Sequence, residues 1–304
     1  MNPKFSVIIP NYNHSDFLAQ RLESVFNQTF QDFEVILLDD KSTDDSVAIL
    51  EKYARHSKVS HFIVNEKNSG SPFKQWQKGI QLAHGKYIWI AESDDFCEPI
   101  FLENLIEMLS SDVVLAFCNS INVNQQGEKL GINTWAMSFD KLKWKVSYVN
   151  DGKSEIKTHL RYRNCIPNAS AVIFKRDAVE DLFFEDSFYF CGDWSFWLKL
   201  LHKGQIAYLN RPLNYFRKHA VSTRVIKDYE NEKKRFQEYY SILSSYSSFW
   251  NLLVNYKKCN WIAEECLQKS NHFTFKQVIG IKMPVMLKFS FLNKYFKLKF
   301  NKKL

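Results

Sequence analysis

Long hydrophobic runs are missing from this chain of 304 residues. No uninterrupted apolar stretch approaches the roughly 18–20 residues that a membrane-spanning helix needs. The first ten residues also lack the basic segment and the long apolar run of a signal peptide. From the sequence we therefore expect a soluble protein that is made in the cytosol.

Cysteine pairs at metal-binding spacing and internal repeats are also missing. The six cysteines are scattered, with no Cys-x-x-Cys, which argues against both a zinc site and a disulfide framework. The composition, with 45% hydrophobic, 16% aromatic and 24% charged residues, excludes a disordered chain. The formal net charge of +8 favours an anionic partner.

Short apolar runs alternate with helical patterns over the first 120 residues. Apolar positions three and four residues apart predict helices between the runs, and the runs themselves predict strands. The predicted strands are Phe5–Ile9, Val35–Leu38, Val59–Val64, Tyr87–Ala91 and Val113–Cys118. Strands spaced by helices in this way indicate an α/β fold, with a mostly parallel sheet flanked by helices on both faces.

The pattern loosens from Gly127 to Asn164, which predicts a loop-rich insertion. A strand at Ser170–Phe174 and a helix from Asp193 are predicted next. Two short strands, Ile206–Leu209 and Leu213–Phe216, follow that helix.

A shift in composition marks a second part of the chain. Residues 227–267 have a helical pattern rich in Tyr, Lys and Glu, and residues 282–304 carry seven lysines and no acid. We therefore predict a first domain over residues 1–222 and a helical extension over residues 223–304, which ends in a basic amphipathic tail.

Two acidic clusters follow predicted strands directly. Asp39 and Asp40 close the second strand, and Glu92, Ser93, Asp94 and Asp95 follow the fourth. Ligands of open parallel sheets bind at the carboxyl ends of strands. Three acids within four residues repel one another unless they are solvated or hold a cation, so a divalent metal site and a solvated helix-capping turn both remain open.

Four segments of the chain, in order, resemble family-2 glycosyltransferases of the GT-A fold. SVIIPNYNHSDFLAQRLESVFNQTFQDFEVILLDDKSTDDS (Ser6–Ser46) resembles the nucleotide-binding half. NSGSPFKQWQKGIQLAHGKYIWIAESDDF (Asn68–Phe96) resembles the segment leading into the D-x-D motif, and GDWSFWLKL (Gly192–Leu200) the segment with the catalytic base. YFRKHAVSTR (Tyr215–Arg224) resembles the late Arg-x-His region.

The resemblance implies a nucleotide-sugar site at the ends of the first two strands. Pro10 and Tyr12 match the first strand's end, and Asp40, with Asp39 behind it, matches the acids that hold the nucleotide, usually uridine. A capping turn for the two acids and a packing role for Tyr12 are the alternatives. Asn68, Gly70 and Lys74 match segments that approach the diphosphate, although Gly70 alone would suit any turn. Together with Ser93 and Asp94, these seven residues form the predicted donor site.

The resemblance also implies a divalent metal, Mn²⁺ or Mg²⁺. Asp94 matches a ribose or metal contact, Asp95 the ligand of an ion that bridges the two phosphates, and His219 a third ligand or diphosphate contact. A solvated histidine is the alternative for His219. Glu92 stands where the family pattern has Asp, and its part in the site is left open.

Asp193 matches the general base of an inverting transfer, which takes the acceptor hydroxyl's proton opposite the leaving group. The family commonly has an acidic pair here, whereas this chain has Gly192–Asp193. The alternative for Asp193 is the N-cap of the following helix. Trp194 is predicted to line the acceptor site.

The basic tail predicts either a solvated helix or a segment lying on an anionic membrane surface. Its apolar residues are Phe289, Phe291, Leu292, Tyr295, Phe296, Leu298 and Phe300. Nucleic acid is the other anionic partner, but no groove-reading motif accompanies the charge. We favour the membrane surface.

The sequence thus predicts an inverting glycosyltransferase that uses a nucleotide-diphosphate sugar, UDP-linked by resemblance. Its acceptor would be a glycan or lipid-linked glycan of bacterial surface polysaccharide synthesis, at the cytoplasmic face of the membrane. A nucleotidyltransferase would need a glycine- and lysine-rich phosphate loop that Pro10–His14 lacks. A catalytically silent binding or scaffold protein with the same fold remains the alternative.

Overall fold

Ten strands form one sheet in the computed structural model, which describes residues 2–166, 168–185, 187–219, 228–269 and 274–300. The strands are β1 (Phe5–Asn11), β2 (Phe33–Asp39), β3 (Val59–Val64), β4 (Tyr87–Ile90), β5 (Phe96–Cys97), β6 (Val113–Val123), β7 (Lys129–Ile132), β8 (Tyr148–Asp151), β9 (Val172–Lys175) and β10 (Gln205–Arg217). Their order is β3-β2-β1-β4-β9-β6-β10-β5, with β7 paired to β6 and β8 to β10.

The predicted parallel arrangement holds for two groups of strands. β1, β2, β3 and β4 pair in parallel, and so do β6 and β10. β9 returns from the predicted insertion and enters between β4 and β6, antiparallel to both, which makes the sheet mixed. β9 fits this central position because Val172, Ile173 and Phe174 are fully buried.

Helices cover both faces of the sheet, as predicted. They are α1 (Ser15–Phe26), α2 (Ser46–Tyr53), α3 (Pro72–Leu82), α4 (Phe101–Ile106), α5 (Gly152–Glu155) and α6 (Gly192–Leu200). Because side chains alternate along a strand, β1 contributes side chains to the hydrophobic core on each face of the sheet. Ile8 packs in the core that includes residues of α3 and α6, whereas Val7 and Ile9 pack with residues of α1, α2 and α4.

Two local predictions need correction. The two short strands expected at residues 206–209 and 213–216 are one strand, β10, with register shifts on either side of Pro212. The region 127–164, predicted as loop-rich, contains β7, β8, α5 and a π-helical turn at Ile156–Leu160. These short elements escape a periodicity analysis because each spans only four or five residues.

The helical extension, here residues 228–300, has a core of its own. It consists of α7 (Tyr229–Tyr246), α8 (Phe249–Val254), α9 (Tyr256–Lys269), α10 (Phe275–Ile279) and α11 (Val285–Phe300). Phe236, Ile262 and Phe291 are buried in this core. The predicted boundary near residue 222 lies outside the described residues. We call residues 2–219 the sheet region.

The tail helix α11 is only partly the exposed segment that the sequence predicts. Phe291 and Tyr295 are buried, whereas Phe289 and Phe296 are exposed. Across the described ranges, no helix has both the length and the hydropathy needed to cross a membrane. All six cysteines are buried, and none of them is disulfide-bonded.

Candidate active site

A cleft of about 520 Å³ opens at the edge of the sheet where β1, β2 and β4 end. Parallel strands present their carboxyl ends at one edge, so loops far apart in sequence meet there. Most of the predicted site residues line this cleft, namely Pro10, Tyr12, Asp40, Asn68, Gly70, Ser93, Asp94, Asp95 and Asp193. Tyr12 is 45% exposed and thus presents its ring to solvent rather than to the core.

The paired acids after β2 have different surroundings. Asp39 is fully buried and accepts hydrogen bonds from Asn11 Nδ2 (2.8 Å) and from the backbone N–H and hydroxyl of Ser42 (2.8 and 2.6 Å). Asp39 therefore joins the ends of β1 and β2 and does not itself line the cleft. Lys41, just beyond the pair, has a left-handed backbone with φ of 66°, which is uncommon for a residue with a side chain.

Asp40 organises the loop that precedes α3. Its Oδ1 accepts from Asn65 Nδ2, Ser69 N and Gln75 Nε2 at 2.7–2.9 Å, and its Oδ2 accepts from the Ser69 hydroxyl at 2.7 Å. Asn68 Nδ2 donates to the Asp40 carbonyl at 3.0 Å. These bonds hold Asp40 at the cleft wall.

Gly70 and Lys74 flank the cleft near α3. Gly70 has φ of +75°, so any side chain there would strain the backbone although the space around it is open. Lys74 lines a neighbouring cavity of about 260 Å³ and not the main cleft, and its Nζ donates to the Ser69 carbonyl at 3.3 Å.

The loop after β4 is held by buried partners from three elements. Arg21 on α1 donates to the Glu92 carbonyl (2.8 Å), and Trp76 on α3 donates to the Glu92 carboxylate (2.7 Å). Arg217 at the end of β10 donates to the Asp94 carbonyl (2.7 Å). The loop is therefore pre-organised by residues that no local pattern connects with it.

Asp95 is tied into the protein through both carboxylate oxygens. Oδ1 accepts from the backbone N–H of Arg217 (2.9 Å), and Oδ2 accepts from Asn168 Nδ2 (3.0 Å). Asn168 lies between the region predicted as an insertion and β9, and it also lines the cleft. The side chain of Asp95 thus contributes to the architecture of the loop.

The three acids of this loop titrate differently. Burial and the charge of Asp94 raise the pKa of Glu92 to about 8, and the same two causes raise the pKa of Asp95 to about 6. Burial also acts to raise the pKa of Asp94, but the hydrogen bond from His219 and the charges of His14 and His219 bring it below its ordinary value. A bound divalent cation would favour the ionised form of all three.

His14, Asp94 and His219 together form a candidate metal site. One ligand atom of each lies within 4.8 Å of the others, and His219 Nε2 is 2.9 Å from Asp94 Oδ2. Burial lowers the pKa of His14, which favours the neutral imidazole that a metal requires. Two imidazoles with one carboxylate suit Mn²⁺ better than Mg²⁺, which prefers oxygen ligands. Asp95 does not belong to this group.

Sequence reasoning missed His14, although its position carried a signal. His14 directly precedes α1 and follows the end of β1, at the same edge of the sheet as the two acidic clusters. Its Nδ1 lies 2.8 Å from the Ser93 hydroxyl, which places it against the loop after β4.

Asp193 reaches the cleft from the first turn of α6. The helix begins at Gly192 with Cys191 as its N-cap, so Asp193 is not the cap that was the alternative for it. Its Oδ1 accepts from the Trp194 N–H (2.7 Å) and its Oδ2 from Asn164 Nδ2 (3.1 Å). A carboxylate in the first helical turn is also stabilised by the helix dipole.

Trp194 is not brought to the cleft. It is 1% exposed, its Nε1 donates to the Leu160 carbonyl at 2.6 Å, and its ring packs against Tyr239 and Trp261. Consecutive side chains point in different directions around a helix axis, so Asp193 points to the cleft and Trp194 to the core. Instead, Tyr189 and Phe190 line the cleft beside Asp193, with Asn231 and Glu232 of α7.

Comparison with known proteins places this chain in a family. Residues 6–183 match the model of glycosyl transferase family 2. The chondroitin synthase of Escherichia coli is 36% identical over 145 residues, which are 46% of this chain and 21% of that protein. The poly(ribitol-phosphate) beta-N-acetylglucosaminyltransferase TarS of Staphylococcus aureus is 36% identical over 126 residues, 39% of this chain and 22% of that protein.

The first relatives are thus much longer than the matched part, since this chain spans about a fifth of their length. EpsH of Bacillus subtilis matches more evenly, with 26% identity over 267 residues, 84% of this chain and 72% of that protein.

Solved structures show the same fold. TarS 1–349 from S. aureus in complex with UDP-GlcNAc has a TM-score of 0.63 at 19% identity, covering 97% of this chain and 81% of that one. A mannosyltransferase from Pyrobaculum calidifontis in complex with GDP-Man and Mn²⁺ has a TM-score of 0.56 at 14% identity, covering 99% and 88%. At these identities the likeness concerns the fold alone. With the family model matching more than half of the chain, the protein is a member of glycosyl transferase family 2.

Proposed function

We propose that this protein transfers a sugar, with inversion, from a nucleotide-diphosphate donor to a glycan or lipid-linked acceptor, using a divalent metal and Asp193 as general base. The observation that carries the proposal is the single cleft at the ends of β1, β2 and β4. It combines the acids of the loops after β2 and β4 with a carboxylate from α6.

The donor is proposed to be a uridine diphosphate sugar. In this proposal the nucleotide lies along Pro10, Tyr12 and Asp40, where a ring can stack and a carboxylate can accept from a base N–H. Asn68, Gly70 and Ser93 would face the ribose and the diphosphate. Asp39 supports this wall from behind through its bonds to Asn11 and Ser42. Lys74 would reach the diphosphate only from the adjacent cavity.

Asp94, His219 and His14 are the residues proposed to hold the metal. When bound, a divalent ion supplies positive charge that stabilises the departing nucleotide diphosphate. Arg217 and Arg21 hold the carbonyls of the loop, so Asp94 stays in place as charge develops. The two bonds to Asp95 serve the same purpose.

Asp193 is proposed to take the proton of the acceptor hydroxyl as that oxygen attacks the anomeric carbon. Asn164 donates to Asp193 Oδ2, which fixes the orientation of the carboxylate in the cleft. Tyr189 and Phe190, beside Asp193, are the aromatic residues that would face the acceptor. Trp194 is not among the residues proposed to contact the acceptor, because it is buried.

The names of the relatives and the surface of the helical extension support a proposed acceptor and a proposed place of action. We propose a surface polysaccharide or a lipid-linked glycan at the cytoplasmic face of a bacterial membrane. By their names, TarS acts on poly(ribitol-phosphate) and chondroitin synthase makes chondroitin, which supports a polymeric acceptor. Exposed apolar residues of α8, including Trp250 and Val254, add to Phe289 on α11, and these two helices contact each other. Lysines of the tail complement an anionic leaflet.

Calorimetry of nucleotide binding tests the donor site and the metal together. UDP, GDP, CDP and TDP would be titrated with and without Mn²⁺ into the wild type and into the Asp94→Ala and Asp95→Ala variants. We expect Mn²⁺-dependent UDP binding that Asp94→Ala abolishes, because this change removes the only carboxylate of the His14–Asp94–His219 group. Asp95→Ala is the comparison, and loss of the Mn²⁺ effect there would assign Asp95 to the ion as well.

The other outcomes are equally informative. Preference for another nucleotide would keep the enzyme class and overturn the uridine assignment. Binding of none of the four nucleotides would favour the catalytically silent binding protein instead.

A further inference from the structure

The helical extension reaches the cleft through α7. Asn231 and Glu232, at the start of this helix, line the cleft, and Glu238 lies two turns further along. Residues seven apart on a helix share a face, so Asn231 and Glu238 point toward the same side of α7. This face lies against the segment Tyr189–Cys191 of the sheet region.

The Glu238 carboxylate accepts hydrogen bonds from three consecutive backbone N–H groups. Oε1 accepts from Tyr189 (2.9 Å), and Oε2 accepts from Phe190 (2.8 Å) and Cys191 (3.0 Å). Glu238 is only 5% exposed, so these bonds form away from solvent. Bonds from backbone N–H groups to an ionised carboxylate are among the stronger hydrogen bonds in proteins.

The anchored segment leads directly into the helix that carries the proposed base. Cys191 is the N-cap of α6, but its side chain makes no capping bond. The acceptor for its N–H is therefore supplied from α7, a distant part of the sequence. Asp193 follows two residues later, and its carboxylate is oriented by Asn164.

We propose that Glu238 is a positioning residue for the transfer reaction. It holds the segment Tyr189–Cys191 and thereby places Asp193 and the rings of Tyr189 and Phe190 at the cleft. The proposal rests on the proposed function, in which Asp193 is the base. Under this proposal the helical extension is a part of the active site, in addition to the membrane-binding surface proposed above. A shift of about 1 Å in a catalytic group costs on the order of 100-fold in rate, so an anchor at this point matters for catalysis.

A purely structural role for Glu238 makes a different prediction. Satisfying three buried N–H groups would then only stabilise the fold, and a folded variant would transfer sugar at the wild-type rate. A positioning role predicts a lower kcat with an unchanged KM for the donor, because Glu238 accepts its hydrogen bonds from Tyr189, Phe190 and Cys191, which are not among the proposed nucleotide-binding residues.

The test compares Glu238→Gln and Glu238→Ala with Glu230→Gln. Glu230 lies on the same helix, and its side chain is 74% exposed, so its variant is the matched control. UDP release from UDP-N-acetylglucosamine and other UDP-sugars gives kcat and KM for the donor that the wild type uses. Calorimetry with UDP and thermal unfolding report the integrity of the site and the fold.

We expect kcat to fall by about tenfold or more in Glu238→Ala and by less in Glu238→Gln, which keeps one carbonyl oxygen as acceptor. UDP affinity stays within twofold, and Glu230→Gln behaves as the wild type. Wild-type kcat in folded Glu238→Ala and Glu238→Gln overturns the proposal.

Amide hydrogen exchange of residues 187–194 tests the anchoring step of the proposal separately from activity, and it remains available if Glu238→Ala unfolds or the donor is not found. We expect slow exchange at Tyr189, Phe190 and Cys191 in the wild type and faster exchange in Glu238→Gln. Fast exchange of these amides in the wild type, or equal protection in the two proteins, overturns the role of Glu238. A wild type that turns over no UDP-sugar contradicts the proposed function and leaves this exchange result to decide on Glu238.

Discussion

The sheet region and the helical extension treat their aromatic residues differently. Only two of the exposed large aromatic side chains, Tyr12 and Phe183, lie in the described part of the sheet region. Six lie in the extension, namely Phe249, Trp250, Tyr256, Phe275, Phe289 and Phe296. The sheet region buries most of its aromatic rings in a core on each face, whereas the smaller extension has one core and leaves several rings exposed. The residues proposed for the reaction thus lie mainly at the sheet edge. The extension contributes exposed aromatic rings and, through Asn231 and Glu232, part of the cleft lining.

The largest effect is expected from Asp193→Asn in the sheet region. Asparagine keeps the size of the side chain but cannot take a proton, so sugar transfer should fall by about 10²–10⁴-fold. UDP binding should stay as in the wild type, since the nucleotide is proposed to contact β1 and β2. Transfer at the wild-type rate would contradict the assignment of the base, and steady-state kinetics with calorimetry measures both quantities.

The next largest effect should appear in the extension, on membrane binding. We expect Trp250→Glu combined with Phe289→Glu to weaken binding to vesicles of phosphatidylcholine and phosphatidylglycerol by about tenfold or more, because two exposed rings lose their burial in lipid. Phe183→Glu is the control in the sheet region, since Phe183 is 63% exposed but far along the chain from the basic tail. Co-sedimentation measures the binding.

Equal vesicle binding of all three proteins would remove the membrane surface from the proposal. A loss in Phe183→Glu as large as in the double variant would break the contrast between the two regions. Vesicles of phosphatidylcholine alone should bind the wild type less, because they lack the negative charge that complements the lysines.

Trp194→Phe tests whether this residue belongs to the core or to the acceptor site. The change leaves the Leu160 carbonyl without its indole donor, and we expect unfolding to become easier by about 1–3 kcal/mol. The KM for the acceptor should not change. Trp250→Phe, at an exposed tryptophan of the extension, should alter stability by less than about 0.5 kcal/mol. A raised acceptor KM without loss of stability in Trp194→Phe would restore the role that the sequence predicts.

The smallest effect concerns the acid stability of the sheet region. Burial acts to raise the pKa of Glu34, but hydrogen bonds from the Ser6 hydroxyl and the His84 N–H bring the pKa below its ordinary value. The ionised carboxylate therefore stabilises the fold above the pKa of the unfolded chain, and this contribution is lost as the pH falls through the lowered pKa of the folded state.

We expect Glu34→Gln to be less stable than the wild type by about 1 kcal/mol at pH 7, with the difference vanishing in acid. Urea unfolding at pH 7 and near pH 3 measures it. Glu51→Gln, at an exposed position of α2, is the control and should show no such convergence. A difference that persists at low pH would show that Glu34 acts through packing rather than charge.

Much of the fold could be read from local patterns. β1, β2 and β4 contain continuous apolar runs because both faces of the sheet are covered there, and the predicted positions of the parallel strands agree with β1–β4 to within a few residues. The strand predicted at Ser170–Phe174 is present as β9, but the elements between residues 127 and 164 were not predicted, since segments of four or five residues have too few positions to show a period. The family model and the solved structures confirm the family and the GT-A-like fold that the motifs indicate.

The candidate site was predictable where a residue directly follows a strand. Asp40, Asp94 and Asp95 meet at one cleft because the strands before them are parallel. Trp194 was misplaced because a local motif does not tell which side of α6 faces the cleft. The donor, metal and base roles remain predictions for the experiments above.

The sequence by itself determined which segments become strands and helices and which acids end the strands, because these depend on side-chain periodicity over a few residues. Only the tertiary structure decided that His14 joins Asp94 and His219, and that Glu238 holds the segment before Asp193. The hydrogen-bonded pairs Glu238–Cys191 and Asp94–His219 are 47 and 125 residues apart along the chain. Contacts at such separations depend on which strands pair and which helix faces pack, and no local pattern of residues encodes that.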